Sequence, residues 1–407
     1  MKTKNFWISL SLLNLCVVTI LGVILRSKAL FELPSIDYNH LLTAHSHFAF
    51  GGWVTLALMV LMVNAFLTEH QKTHRAYQII FWGIFASTWG LLLTLPFAVF
   101  VSLSSYISFF FIFITYIFFI AFLIDLRKAG VSKTTFLLSA SAIVCLVLSS
   151  GGSITLAYLF ASKSLNAVLY RDALFSYLHL QYNGFFTLAV FALLFHKLET
   201  KLSDEAKQTV HRFAVILVIS ILPSLFLSYH WHNPNVLFNI IAIIGSILML
   251  TCLGFFVPVL RCMIKADENV TPLLRFIAIV SLGSFMIKMF LQSFTIIDFL
   301  GNMVYGDRTI VMAFLHLVFL CFVSLFILAY IAQTGLLNTG KKITRIALIV
   351  FASGVMINEA LLWTQGVGVL FIQTSDLFPW LLLGAGIWMF TGAALIYIAR
   401  EIGIHKA

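Results

Sequence analysis

The sequence predicts an all-α membrane protein with twelve transmembrane helices in three pseudo-threefold sets of four, both termini cytoplasmic. Composition, twelve apolar runs and a motif repeated three times predict it. Of the 407 residues, 61% are hydrophobic and only 10% charged, with mean hydropathy +1.04. A soluble domain carries about 25% charged residues. The apolar runs are continuous and do not alternate, which argues against barrel strands. In lipid only helices and closed barrels satisfy their own backbone, so the runs read as helices.

A span needs roughly 20 apolar residues. Taken in order, such runs fall at 6–26, 43–66, 77–98, 101–124, 136–160, 173–195, 211–229, 237–260, 273–295, 310–333, 343–363 and 379–399. The first has Lys2 and Lys4 ahead of it, as a signal peptide would. No small-residue cleavage site follows, since the chain continues Arg26-Ser-Lys28-Ala-Leu-Phe, so it reads as a retained helix. With the N-terminus inside, Arg26, Lys28, Lys163, Arg171 and Arg308 are the basic residues placed outside, and Lys288 lies within a span. The other Lys and Arg, through to Lys406, are cytoplasmic, as the positive-inside rule requires. The net charge of +10 is therefore topological and does not signal nucleic-acid binding. The expected location is a bacterial-type cytoplasmic membrane, with the lipid bilayer as principal partner.

Loops are short, so residues 1–407 read as one polytopic domain. Its pseudo-repeats run roughly 40–170, 171–308 and 309–407, with span 1 added. The five cysteines are scattered, with no CxxC or CxxCH, which argues against iron–sulfur clusters, zinc ribbons and covalently attached haem.

Spans 2, 6 and 10 open on one sentence. It reads His47-Phe-Ala-Phe50-Gly-Gly52-Trp53-Val-Thr55-Leu56, then His179-Leu-Gln-Tyr182-Asn-Gly184-Phe185-Phe-Thr187-Leu188, then His316-Leu-Val-Phe319-Leu-Cys321-Phe322-Val-Ser324-Leu325. Each has aromatics at +3 and +6, a small residue at +5, a hydroxyl at +8 and leucine at +9. The copies lie about four helices apart, the mark of an internal repeat. A histidine four to six residues into its span lies roughly 6–9 Å below the outer boundary. The three copies share that layer.

Twelve histidines are present. His70, His74, His196, His211 and His405 fall on the cytoplasmic side as solvated residues. His40, His45, His47, His179, His230, His232 and His316 lie at or below the outer boundary. A lone histidine in a membrane often only bonds a neighbouring helix. A layer of them is a functional hypothesis by default, here a metal or haem centre. His45 and His47 stand about 200° apart on a helix and cannot both face one centre; the repeat selects His47. His45 is then a supporting or packing residue. Gly51 and Gly52 beside His47 admit a flat macrocycle or a tight helix contact. His230 and His232 lie at an end frayed by Pro234, and two imidazoles there plus one from a neighbouring helix could form a three-nitrogen copper site. Lys288 could pair with a propionate or carboxylate, or snorkel to the interface. Glu359 is a candidate proton group or pairing partner, or a helix-end residue reaching water. Arg308 is a candidate propionate partner.

This topology, with histidines in spans 2, 6, 7 and 10, resembles subunit I of the haem–copper oxidase superfamily. The resemblance covers the whole chain in topology and the histidine segments in motif. It implies that His47 and His316 are the axial pair of a low-spin haem, b-type and non-covalent. It implies that His179, with His230 and His232, occupies the copper region. The sequence departs from that superfamily at several points. Span 10 has a single histidine, with Phe314 and Val318 near it, and span 7 has no tandem His-His. Span 6 reads His179-Leu-Gln-Tyr182-Asn, not His-Pro-Glu-Val-Tyr. The pattern is more similar to divergent single-subunit relatives, the membrane haem–copper proteins associated with nitric-oxide response.

The expected function is a membrane haem protein, with copper as a second candidate metal, in redox chemistry or the binding or reduction of a diatomic gas such as O2 or NO. An electron donor would be its partner. The alternatives are a twelve-helix secondary transporter, a membrane protein handling metal or haem without redox catalysis, and a structural or assembly protein. Transporter repeats usually come as two halves with broken helices at the midplane. Here the repeat is threefold and the polar layer lies toward one side.

Overall fold

The computed structural model describes residues 2–34, 37–232, 235–266, 270–370 and 375–404. The frayed end expected at Asn233 and Pro234 and the cytoplasmic positions of His405 and Lys406 lie outside the described residues. Twelve helices are long and apolar enough to span: Asn5–Ser27, Tyr38–Phe66, Arg75–Thr94, Ser102–Lys128, Lys133–Ala161, Ala167–Lys201, Asp204–His232, Val236–Ala266, Pro272–Ile296, Arg308–Gln333, Lys342–Gly368 and Leu377–Gly403. They are spans 1 to 12 below. No strand occurs among the described residues.

Spans 2, 6 and 10 are inner helices. Their apolar windows are 83%, 89% and 61% buried, and no other span exceeds 50%. Span 2 is flanked by spans 1 and 3, span 6 by 5 and 7, and span 10 by 9 and 11. The remaining helices close a ring around them, span 12 packing on span 1. Exposed apolar side chains on the ring, such as Phe113, Ile120, Ile247 and Ile279, face the lipid. The repeat seen in the sequence is thus the repeat of the architecture, because each copy supplies one inner helix.

Each inner helix starts earlier than its apolar run. Asp37 accepts from the His40 N–H, Asn166 from Leu169, and Asp307 from Thr309 and Ile310. These caps satisfy orphan donors at the helix start and carry the first turns, which are less apolar, beyond the hydrophobic stretch. The α-helical segments they open are 10, 13 and 9 residues long and end on His47, His179 and His316. At 1.5 Å per residue that is about 13–20 Å from each cap.

Beyond each histidine the backbone widens into a π-helix: Phe48–Thr55, Leu180–Phe186 and Leu317–Ser324. Such segments are rare and concentrate at functional sites. In each one a carbonyl accepts a side-chain donor. Asn14 Nδ2 reaches Gly52 O at 2.6 Å, Thr187 Oγ1 reaches Tyr182 O at 2.5 Å and Ser281 Oγ reaches Phe322 O at 2.7 Å. These bonds supply partners that an irregular helical ladder in lipid needs.

Candidate functional site

Spans 2 and 10 are joined just beyond their histidines. The +3 aromatics Phe50 and Phe319 have ring centroids 4.2 Å apart, and Phe186 of span 6 closes the group. Trp53 Nε1 donates to Ser324 Oγ at 2.8 Å. Matching motif positions meet across the two helices, so His47 and His316 stand at one level, a turn above the aromatic contact.

The two rings are held alike. His47 Nδ1 lies 3.0 Å from Thr43 O, and His316 Nδ1 lies 2.7 Å from Met312 O, both one turn back. A carbonyl only accepts, so each Nδ1 carries the proton and each Nε2 presents a lone pair. Among the described residues neither Nε2 has a protein partner. His47 is also exposed although its helix is among the most buried. Free lone pairs and fixed rings fit axial ligation of a flat macrocycle.

His45 stands about 200° around span 2 from His47 and lies in the field of His316. It lies against the Val18 backbone of span 1, and its Cε1 comes within 3.6 Å of where a Cβ on Gly22 would stand. His45 and His316 both lie in the field of the Arg26 guanidinium. Arg26 Nη2 donates to Asn358 Oδ1 of span 11 at 2.7 Å. Glu359, next along, does not reach water. Its Oε1 accepts from Trp363 Nε1 at 2.6 Å, and its Oε2 is buried without a partner among the described residues.

His179 is wholly buried and both its nitrogens are engaged. Nε2 donates to Ile221 O of span 7 at 2.9 Å, and Nδ1 accepts from Asn183 Nδ2 at 3.0 Å. Asn183 also donates to Gln292 Oε1 of span 9. The residues of the copper expectation have other partners here. His230 bonds Asn239 and Asp298, the latter at 2.8 Å, and His232 bonds Asp172 at 3.1 Å. Asp172 lies about two turns of span 6 before His179, roughly 10 Å along the helix. His179, His230 and His232 therefore form no common donor set. Among the described residues no three His, Cys, Asp or Glu side chains could hold a metal together.

Other expectations change too. Gly51 and Gly52 serve packing: a Cβ on Gly51 would stand 2.8 Å from Thr88 Cγ2, and one on Gly52 would stand 3.1 Å from the Phe48 ring. Lys288 neither snorkels nor meets a carboxylate. It is fully buried, with Nζ unpartnered and 5.5 and 5.8 Å from the Tyr182 and Phe285 rings. A lysine at mid-span costs about 2.5–3.5 kcal/mol on insertion scales, which ring faces worth about 0.5–2 kcal/mol offset only in part. Arg308 stacks over Tyr38 at 5.1 Å. On the opposite side, His74 meets Asp125, His196 lies near Glu199, and His211 bonds Thr134.

Sequence reasoning placed Gln292 one turn from Lys288 but missed the roles of Asn14, Arg26, Asn183 and Asn358. Their signal was available: each is a polar residue within or at the end of an apolar run, and such residues in lipid need a partner.

Over 98% of its length the chain matches 84% of a chain in a cryo-EM structure of a haem–copper terminal oxidase dimer, with TM-score 0.71 and 14% identity. The chain therefore has the haem–copper oxidase subunit I-like fold. The sequence matches no protein-family model and no curated protein.

Proposed function

We propose that this protein holds a non-covalent b-type haem between His47 and His316 and serves in electron transfer or in the binding of a diatomic gas. The observation that carries this reading is the pair of rings at one level, each with Nδ1 fixed by a carbonyl and Nε2 free. The oxidase-like fold supports it, since haem and copper are named in that neighbour's description. Bound there, the haem would supply a one-electron redox centre. His47 and His316 would be its ligands, and the Phe50, Phe186 and Phe319 rings beneath them would exclude water from one side. Arg26 would place a positive charge on the flank. Copper is left out of the proposal because His179, His230 and His232 are each engaged elsewhere. The charge asymmetry of the loops supports a cytoplasmic membrane with both termini inside.

The test is a reduced-minus-oxidised spectrum of the protein purified in mild detergent, with an iron assay. A Soret band lost in both His47→Ala and His316→Ala supports the proposal. Iron-free protein from haem-replete cells would overturn it.

A further inference from the structure

Between spans 6, 7, 8 and 9 lies a cavity of about 10 Å³, lined by Asn183, Ser220, Ser224, Met249, Lys288 and Met289 among others. That is about the space a single water requires. Two of the lining groups are buried and unsatisfied, and they are of opposite kind. Lys288 Nζ is a donor without an acceptor, and Asn183 Oδ1 is an acceptor without a donor. Asn183 is not free to reverse its amide. Its Nδ2 already donates to His179 Nδ1 and to Gln292 Oε1, while the Ile221 carbonyl holds the proton on His179 Nε2. Ser220 and Ser224 donate to Leu217 O and Ile221 O, which leaves their oxygens able to accept.

We propose that this cavity is a binding site for one protic molecule of water size, water at rest. The ligand accepts from Lys288 Nζ and donates to Asn183 Oδ1. A halide would satisfy the ammonium but meet the Asn183 carbonyl lone pairs. A diatomic gas has no proton to donate, and a metal cation is opposed by Lys288. Unpaired buried polar groups are costly, and the low dielectric around them makes a bridging ligand strongly held. The site stands apart from the haem reading, because it uses neither His47 nor His316.

The test uses the full chain in lipid nanodiscs, first by high-resolution structure determination and then by infrared difference spectroscopy in water and in ¹⁸O-labelled water. One density within hydrogen-bond distance of both Lys288 Nζ and Asn183 Oδ1 is expected. So is an O–H band that shifts with the label and is absent in Lys288→Met. Should that variant not fold, Met249→Phe fills the cavity and should abolish the band with Lys288 intact. Three results would overturn the proposal: a direct Lys288–Asn183 bond with no density between, a bromide anomalous peak at the site, or a band that persists in the variant that folds.

Discussion

Trp53 and Ser324 are joined by a buried hydrogen bond of 2.8 Å from indole to hydroxyl. They occupy the +6 position of the first motif copy and the +8 position of the third. This bond couples spans 2 and 10 below the paired histidines. Ser324→Ala strands a buried indole N–H and should cost about 1–3 kcal/mol. Trp53→Phe in the same background should recover part of that loss, as coupled residues do. Thermal melts of the four proteins in one detergent check this; purely additive losses would refute the coupling.

His179 is held as a structural residue. His179→Ala removes its buried bonds to Ile221 O and Asn183 Nδ2, and should cost about 1–3 kcal/mol in all, since both groups keep a second partner. The variant should melt at lower temperature yet keep its Soret band. Loss of the band at full expression would instead make His179 a haem ligand.

Arg26 acts on the proposed centre through its charge. Arg26→Gln removes a cation from the field of His316, which favours the oxidised, more positive iron. The midpoint potential should fall by about 50–100 mV, the Coulomb energy of one charge at 8–10 Å in a partly screened interior. Potentiometric titration reads it, and an unchanged potential would dissociate Arg26 from the site.

Gly184 has no room for a methyl group. A Cβ there would stand 2.4 Å from Cys145 Cβ on span 5, so Gly184→Ala should cost about 1–3 kcal/mol by overpacking. Adding Cys145→Gly should restore much of it. If the double variant melts no higher than Gly184→Ala, the close approach of the two helices is not the reason for the glycine.

Asp37 makes the start of span 2 acid-sensitive. Its bond to the His40 backbone N–H holds the carboxyl below its ordinary value of 3.8. A depressed folded value means the cap is fully effective above the ordinary value and is lost as pH falls through the folded one. Hydrogen exchange at His40 and Leu41 should therefore accelerate in strong acid. Asp37→Asn should abolish that dependence and keep a cap.

Hydropathy alone placed all twelve spans, because crossing a membrane is a property of consecutive residues. The register of the motif copies likewise pointed to spans 2, 6 and 10 and to His47, His179 and His316. The π-helices were not legible, although they begin one residue after each motif histidine. Widening of a helix depends on neighbours such as Asn14 and Ser281, which come from other spans.

Nor did the sequence determine the state of any ring. The three motif histidines look equivalent as a pattern, yet His47 and His316 keep Nε2 free and His179 does not. His179 Nδ1 also has an amide four residues on, but its Nε2 is engaged by a carbonyl 42 residues away and a second amide approaches from 113 residues away. The other two are fixed by carbonyls four residues back. Local spacing decides where a side chain stands on its helix. Which of its lone pairs is free is decided only by what the folded chain packs against it.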